Sequence, residues 1–388
     1  MDHPYEKATS EMVITAPSHY QVISNGLLQE ESNLGNGQKL THWKHSVPIP
    51  SWLFVVGVAE FAVQYLGEFE GKSIQSWVYP QDRVIGFQNF AEPTTHSLRF
   101  FSEYIGPYTY EKLANVQSPS VGGGMEASTA VFYSENAIKE EQTPWLHNVI
   151  VHEVAHHWFG NAVTESTWDD AWLSEGFATY FTMLFREHAY GRNDFINELQ
   201  KARQRVFDYY EGDPGYKIIA PRSAESGPVT SRATYQKGAW VLHMLRNLVG
   251  DHAFKRGIQS YYRRYVNSIA STSDFKFEME EASGKDLDTF FNQWLYQGGN
   301  PALDGSWSYD PNQKNVEIQL SQVQAKQFQF EIPIEIGIYG DDEILPDVKK
   351  YVMDQRTMKL TIPVEKEPEE VVIDPGTKLL AKWTFIKE

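Results

Sequence analysis

The residues best suited to chemistry lie in His152-Glu-Val-Ala-His156. On a helix, four residues advance about 6 Å and slightly more than one turn. Both imidazoles then share a face and can place nitrogens about 2.1 Å from a single Zn²⁺. Glu153 projects beside them and can reach a water on the metal instead of the metal itself, the pattern of metal-assisted peptide hydrolysis. After eighteen intervening residues comes Glu175, within Trp172-Leu-Ser-Glu-Gly-Phe-Ala at the start of a further helix. Two imidazoles and a carboxylate make a three-ligand site whose fourth position stays open for water, whereas a structural zinc normally takes four protein ligands. The spacing therefore predicts His152, His156 and Glu175 as the ligands of one Zn²⁺ per chain.

The elements that must position these residues change character along the chain. Residues 1 to about 66 read as β structure. Met12-Val-Ile-Thr-Ala, Tyr20-Gln-Val-Ile-Ser and Leu40-Thr-His-Trp-Lys are short runs of branched and aromatic residues, separated by Pro17-Ser, Asn25-Gly and Asn33-Leu-Gly-Asn-Gly. From Pro80 to Asn300 the pattern predicts helices separated by short turns. Pro144 suits a first-turn proline, and 145–159 keeps helical spacing. Further helices are predicted over 175–190, 194–210, 232–249, 251–267, 274–283 and 287–295, with Gly191, Gly212 and Gly250 as punctuation. After Pro301 apolar and polar residues alternate, as in Val316-Glu-Ile-Gln-Leu and Phe328-Gln-Phe-Glu-Ile, which predicts a small β-sandwich.

Length and composition agree with that layout. At roughly 150 residues per domain, 388 residues allow two or three domains. A chain 41% apolar and 22% charged has enough apolar surface to pack a core, which excludes wholesale disorder. The net charge of −17 repels phosphate backbones and anionic lipid, so no nucleic-acid or membrane partner is expected. With no cysteine, disulfides, thiolate metal sites and a cysteine nucleophile are all excluded. No run approaches the roughly 18 apolar residues of a spanning helix. The N-terminal residues lack the basic and then apolar order of a secretory leader, so a cytoplasmic place is expected over export, with a leader on a longer precursor left open.

With these motifs in hand, the chain resembles the zinc aminopeptidases of the aminopeptidase N type, which include the leukotriene-hydrolysing enzyme. Asp2-His-Pro-Tyr-Glu-Lys-Ala-Thr and Ser24-Asn-Gly look like the end of the family's N-terminal β-domain. Gly122-Gly-Gly-Met-Glu126 looks like its exopeptidase motif, His152 to Glu175 supplies the zinc motif, and Tyr235-Gln-Lys-Gly-Ala is similar to its catalytic tyrosine segment. Gly284 to Pro301 resembles the close of a thermolysin-like catalytic domain. The resemblance implies an α+β fold in three parts: the last portion of an N-terminal β-domain at 1–66, a mainly helical, thermolysin-like zinc domain at 67–299, and a β-sandwich at 300–388. It also implies that the family's C-terminal helical domain is absent. The face left by the missing part of the β-domain would favour self-association.

The same resemblance implies roles. Glu153 is the general base, and Tyr235 donates its hydroxyl to the developing oxyanion. Periodicity alone would put Tyr235 in the core. Glu126 holds the free N-terminal amine of a peptide substrate, while Gly122, Gly123, Gly124 and Met125 let the extended substrate approach the backbone. Where the family follows this glutamate with Asn, the chain has Ala127. The implied activity is hydrolysis of the N-terminal peptide bond. The alternatives are a thermolysin-like endopeptidase, if amine capture is disabled, and a zinc-containing peptide-binding module. His157 points about 100° away from His156, as a second-layer or surface residue. His147, His188, His243 and His252 have no partner spacing. Asp169 and Asp170 are placed either to orient ligand histidines or to cap a helix.

Overall fold

The computed structural model describes residues 3–138, 143–221, 229–340 and 345–388. Asp2, the first residue of the Asp2-His-Pro segment, lies outside these. The chain opens with strands β1 (Lys7–Pro17), β2 (Gln21–Ser24), β3 (Leu27–Gly35), β4 (Gln38–Pro50) and β5 (Val56–Ala59). β1, β4 and β3 form an antiparallel sheet, and β2 pairs with β5. Alternate residues of β4, including Thr41, Trp43 and His45, are buried. That period-2 pattern turns one face onto a core of Val22, Ile23, Trp43, Trp77, Val116 and Phe132.

This core joins the first strands to a five-stranded sheet of β6 (Ala62–Phe69), β7 (Lys72–Val78), β8 (Lys112–Ser118), β9 (Gly124–Met125) and β10 (Ala130–Ser134), in the order β6-β7-β8-β10-β9. β6 crosses the expected domain edge at 66/67. Strands β8 to β10 also fall inside the stretch predicted to be helical. β8 and β10 are buried along their whole length. They therefore lack the alternation that marks a half-exposed strand. Helix α1 (Arg83–Tyr104) crosses over to give β7 and β8 their parallel pairing.

The remaining helices are α2 (Glu135–Ile138), α3 (Pro144–His156), α4 (Trp172–Tyr190), α5 (Arg192–Gly212), α6 (Arg232–Val249), α7 (Asp251–Tyr265), α8 (Thr272–Ser283) and α9 (Asp288–Phe291). α3 starts as predicted: Pro144 sits in its first turn, and Thr143 caps it by accepting from Leu146 N. α6 begins with a capping box between Ser231 and Thr234. The predicted 287–295 helix is instead the short α9 followed by one wide turn, Asn292–Tyr296. Two short strands, β11 (Val163–Glu165) and β12 (Ser268–Ala270), also interrupt the helical block and pair in parallel.

α4 and α6 approach backbone to backbone. A Cβ built on Gly176 would lie 2.9 Å from Gly238 Cα, and the reverse distance is the same. Glycine at both positions is what permits the crossing.

Strands β13 (Ala302–Asp310), β14 (Asn315–Gln322), β15 (Ile332–Tyr339), β16 (Asp347–Met353), β17 (Thr357–Pro363), β18 (Glu370–Ile373) and β19 (Lys382–Lys387) form two sheets, β17-β14-β13-β19 and β16-β15-β18. Their inner faces share one continuous core with the helices, through residues such as Trp294 and Phe330. Among the described residues no helix is long and apolar enough to cross a membrane.

Two buried lysines stitch these layers. Lys112 Nζ donates to Ser24 O (2.8 Å), Gly26 O (2.5 Å) and Thr129 Oγ1 (3.2 Å), tying β8 to the β2–β3 turn. Lys237 Nζ donates to Tyr210 OH (2.9 Å) and Gly299 O (3.0 Å), tying α6 to α5 and to the segment leading into the sandwich.

Candidate metal centre

α3 carries His152 and His156 on one face, with their Nε2 atoms 3.1 Å apart. α4 brings Glu175 Oε2 to 3.3 Å from His152 Nε2 and 3.2 Å from His156 Nε2. Three ligand atoms on a tetrahedral ion with bonds of about 2.05 Å are separated by about 3.3 Å. The triangle therefore matches Zn²⁺ before any ion is added. Glu175 Oε2 is buried without a well-formed hydrogen bond, as suits an oxygen kept for a metal. Nitrogen and carboxylate donors with an open fourth side also fit zinc in a hydrolytic role.

Backbone and hydroxyl groups hold the rings in place. Phe159 O, which can only accept, takes a hydrogen bond from His156 Nδ1 (3.1 Å). That leaves the Nε2 lone pair facing the triangle. Ser174 Oγ lies 3.1 Å from the same Nδ1. No local pattern singles out Ser174, although it directly precedes Glu175. Asp170 does not orient a histidine: it accepts from Thr272 Oγ1 (2.6 Å), tying the turn before α4 to α8. His157 is not a surface residue but is buried on the far side of α3, sharing a 2.8 Å hydrogen bond with Tyr108 OH. Burial and the neighbouring His156 push its pKa down to about 3, so it is neutral. His147 meets Tyr190, His188 stacks on Phe100, His243 meets Thr377 O, and His252 is exposed.

The electrostatics favour positive charge in the triangle. Burial opposes a charged His156 ring, yet Glu175, Glu126 and Glu153 outweigh burial and raise its pKa to about 10. Burial likewise works against an ionised Glu175, but the two imidazoles hold it well below the usual carboxylate range. Burial, helped by the neighbouring His156, pushes His152 down, and burial, helped by Glu126 and Glu175, pushes Glu153 well up. The surplus of carboxylates thus draws positive charge, as a proton or a metal ion, into the cluster.

Glu153 lies buried beside β9, which joins the sheet only at its edge, pairing Met125 with Phe132 and Gly124 with Tyr133. A Cβ on Gly124 would sit 2.2 Å from Glu153 Oε1, so only glycine lets that strand pass the carboxylate. Gly122 and Gly123 lie in the approach to β9, away from the triangle, and a Cβ on either would meet nothing within 4 Å. Glu126 is half-buried, and its charge raises both His152 and His156. Its carbonyl accepts from Asn161 Nδ2 (2.6 Å), while Lys7 Nζ donates to Asn161 O (3.0 Å). This relay ties Glu126 to β1. Ala127 is fully buried.

Tyr235, on α6, donates its hydroxyl to Glu175 Oε1 (2.6 Å), and its ring is stacked on His152 with centroids 6.0 Å apart. Burial and the adjacent Glu175 push its pKa well up, so the hydroxyl stays a donor.

A mixed helix-and-sheet framework around a two-histidine, one-glutamate site defines the class, and comparison with known proteins agrees. The chain belongs to peptidase family M1: residues 90–294 match the Peptidase family M1 domain and residues 1–53 the Peptidase M1 N-terminal domain. It is 30% identical to glutamyl aminopeptidase of Rattus norvegicus over 329 residues, covering 81% of this chain and 34% of that protein. The Homo sapiens glutamyl aminopeptidase is 30% identical, with 78% and 33% covered. Aminopeptidase M1 of Arabidopsis thaliana is 28% identical, with 78% and 35% covered. The chain thus spans about a third of the length of these curated relatives. Its fold superposes on a crystal structure of Legionella pneumophila aminopeptidase A in complex with aspartic acid, with a TM-score of 0.82 and 19% identity, covering 99% of this chain and 45% of that one.

Proposed function

We propose that the chain is a zinc-dependent aminopeptidase that hydrolyses the N-terminal bond of peptides with a free amine. The observation that carries this reading is the triangle of His152, His156 and Glu175, with sides of 3.1 to 3.3 Å, flanked by Glu153 and Tyr235. Zinc held by these three ligands would acidify a water and polarise the scissile carbonyl. Glu153, a carboxylate whose burial raises its affinity for a proton, takes the proton of the attacking water and passes it to the departing nitrogen. Tyr235 turns its hydroxyl from Glu175 toward the oxygen on which charge develops. Glu126, at the end of β9, binds the substrate ammonium, so that only the first peptide bond reaches Glu153. Fixing its main chain through Asn161 limits how far that carboxylate can wander.

The expected division at 1–66, 67–299 and 300–388 belongs to the same proposal. So does self-association over the first strands, supported by the exposed Val13, Leu28 and Val58. Sedimentation across a concentration series tests the latter, and a monomer throughout removes it.

The decisive test combines zinc stoichiometry with hydrolysis of aminoacyl anilides, with and without chelator, and with N-acetylated controls. One zinc per chain and chelator-sensitive cleavage of free-amine substrates alone are expected. Equal cleavage of acetylated substrates would instead make the chain an endopeptidase.

A further inference from the structure

The side chain of Asn161 joins the turn after α3 to the residues around Glu126. α3 ends at His156, and Asn161 N donates back to His156 O (3.1 Å). Gly160, at φ +108°, lets the turn run close to the His156 ring. A Cβ there would collide with Ser174 Oγ and crowd His156 Nδ1 (3.2 Å). Thr164 Oγ1 closes the turn by donating to Gly160 O (2.7 Å) and Asn161 O (2.9 Å). From β1, Lys7 Nζ donates to Asn161 O (3.0 Å) and Ala162 O (2.9 Å). The main chain of Asn161 is therefore fixed on the metal side.

The amine side is held more loosely. β9 is an edge strand paired with β10 alone, and Glu126 follows where that pairing ends. Among the described residues the Glu126 carboxylate accepts no hydrogen bond, so its place follows from its main chain. Asn161 Nδ2 donates to Glu126 O (2.6 Å) and to Ser128 Oγ (3.2 Å), gripping the residues between β9 and β10. Asn161 is wholly buried, yet its Oδ1 has no partner. An enclosed amide oxygen left idle is costly, and the tie to Glu126 is what offsets it.

We propose that Asn161 is a positioning residue that sets the distance between the metal and the substrate ammonium, with Lys7 as its clamp. The inference rests on the aminopeptidase reading, in which the first peptide bond and no later one must reach the metal. That choice is a length, from the ammonium to the ion. Here the length runs from His156 through one turn and one amide to Glu126. A misplacement of about 1 Å at such a point costs on the order of 10²-fold in rate.

The test is a double-variant cycle on the zinc-loaded chain, reading kcat and KM for a free-amine anilide. Asn161→Leu keeps the number of side-chain atoms and removes the donor. It should lower kcat/KM roughly tenfold, mainly in kcat, with zinc content unchanged. In a Glu126→Ala background the same change should cost less than about twofold, because no carboxylate is left to place. Lys7→Met should lower the rate roughly threefold with the same dependence on Glu126, and Lys7→Arg, which keeps donors, should retain most of it. If Asn161→Leu does not fold, the Lys7 pair decides by the same criteria. An undiminished loss without Glu126, a loss of zinc or an unchanged rate overturns the inference. If Glu126→Ala leaves the rate intact, or nothing is turned over, the aminopeptidase reading has failed and hydrogen exchange decides instead. Faster exchange over 124–130 in Asn161→Leu, with 150–156 unchanged, would keep Asn161 as the spacer between β9 and α3. A uniform change, or none, would sink both.

Discussion

The metal centre and the lysine joints both bury charge, and they treat it in opposite ways. Lys112 and Lys237 are fully enclosed, and each is met by backbone carbonyls and hydroxyls, neutral acceptors drawn from separate segments. At the triangle, the buried groups converge on one point and are left incomplete: among the described residues, Glu175 Oε2 has no well-formed donor, and no lysine or arginine acts on Glu153, which is pressed against a strand. A charge that holds segments together is satisfied internally. A charge kept for chemistry has its partners withheld until ion or substrate arrives.

The largest expected effect breaks the incomplete side. Glu153→Gln should lower turnover of a free-amine anilide by roughly 10²- to 10⁴-fold while metal analysis still finds zinc. Loss of zinc along with turnover would assign Glu153 to binding instead. The satisfied side is next. Lys112 has a pKa lowered by burial from 10.5 to about 7, so the unfolded chain binds the extra proton between those values. Its contribution makes stability rise with pH across that window, by up to about 1.4 kcal/mol per unit. Lys112→Met should remove this slope from denaturant titrations. At pH 10, where little of the proton cost remains, the variant should be about 2 kcal/mol less stable, because Ser24 O and Gly26 O lose their donor. An unchanged slope would show that the amine stays charged when folded.

Tyr235→Phe should reduce kcat by roughly 10²-fold with little change in KM, as removal of one oxyanion donor does. A change in KM alone would make the hydroxyl a binding group. The smallest effect is on the ring support: Ser174→Ala should weaken zinc affinity roughly tenfold in a competitive chelator titration. No change would leave Phe159 O as the sole anchor of His156 Nδ1.

How much could be read in advance followed from which residues carry local signals. α6 ends where its pattern says, at Arg232 and Val249, because it starts with a capping box and stops before a glycine. The meeting of His152 and His156 was legible because helical spacing alone puts them on one face. β8 and β10 were not legible, because strands buried on both faces show no alternation. Ser174, the Gly124 passage and the Lys7–Asn161–Glu126 relay were also invisible, because each is a meeting of residues distant in sequence.

The contact between Gly176 and Gly238 sits one residue from Glu175 and three from Tyr235. The spacing between the acidic ligand and the phenol is thus gauged by two main chains in direct touch, without an intervening side chain whose rotation could absorb an error. A single added methyl at either glycine would act as a wedge between the two helices that carry the 2.6 Å hydroxyl–carboxylate contact. The least replaceable part of the site is a place where atoms are missing. Attempts to re-engineer its specificity have far more room elsewhere around the triangle than at this hinge-less crossing.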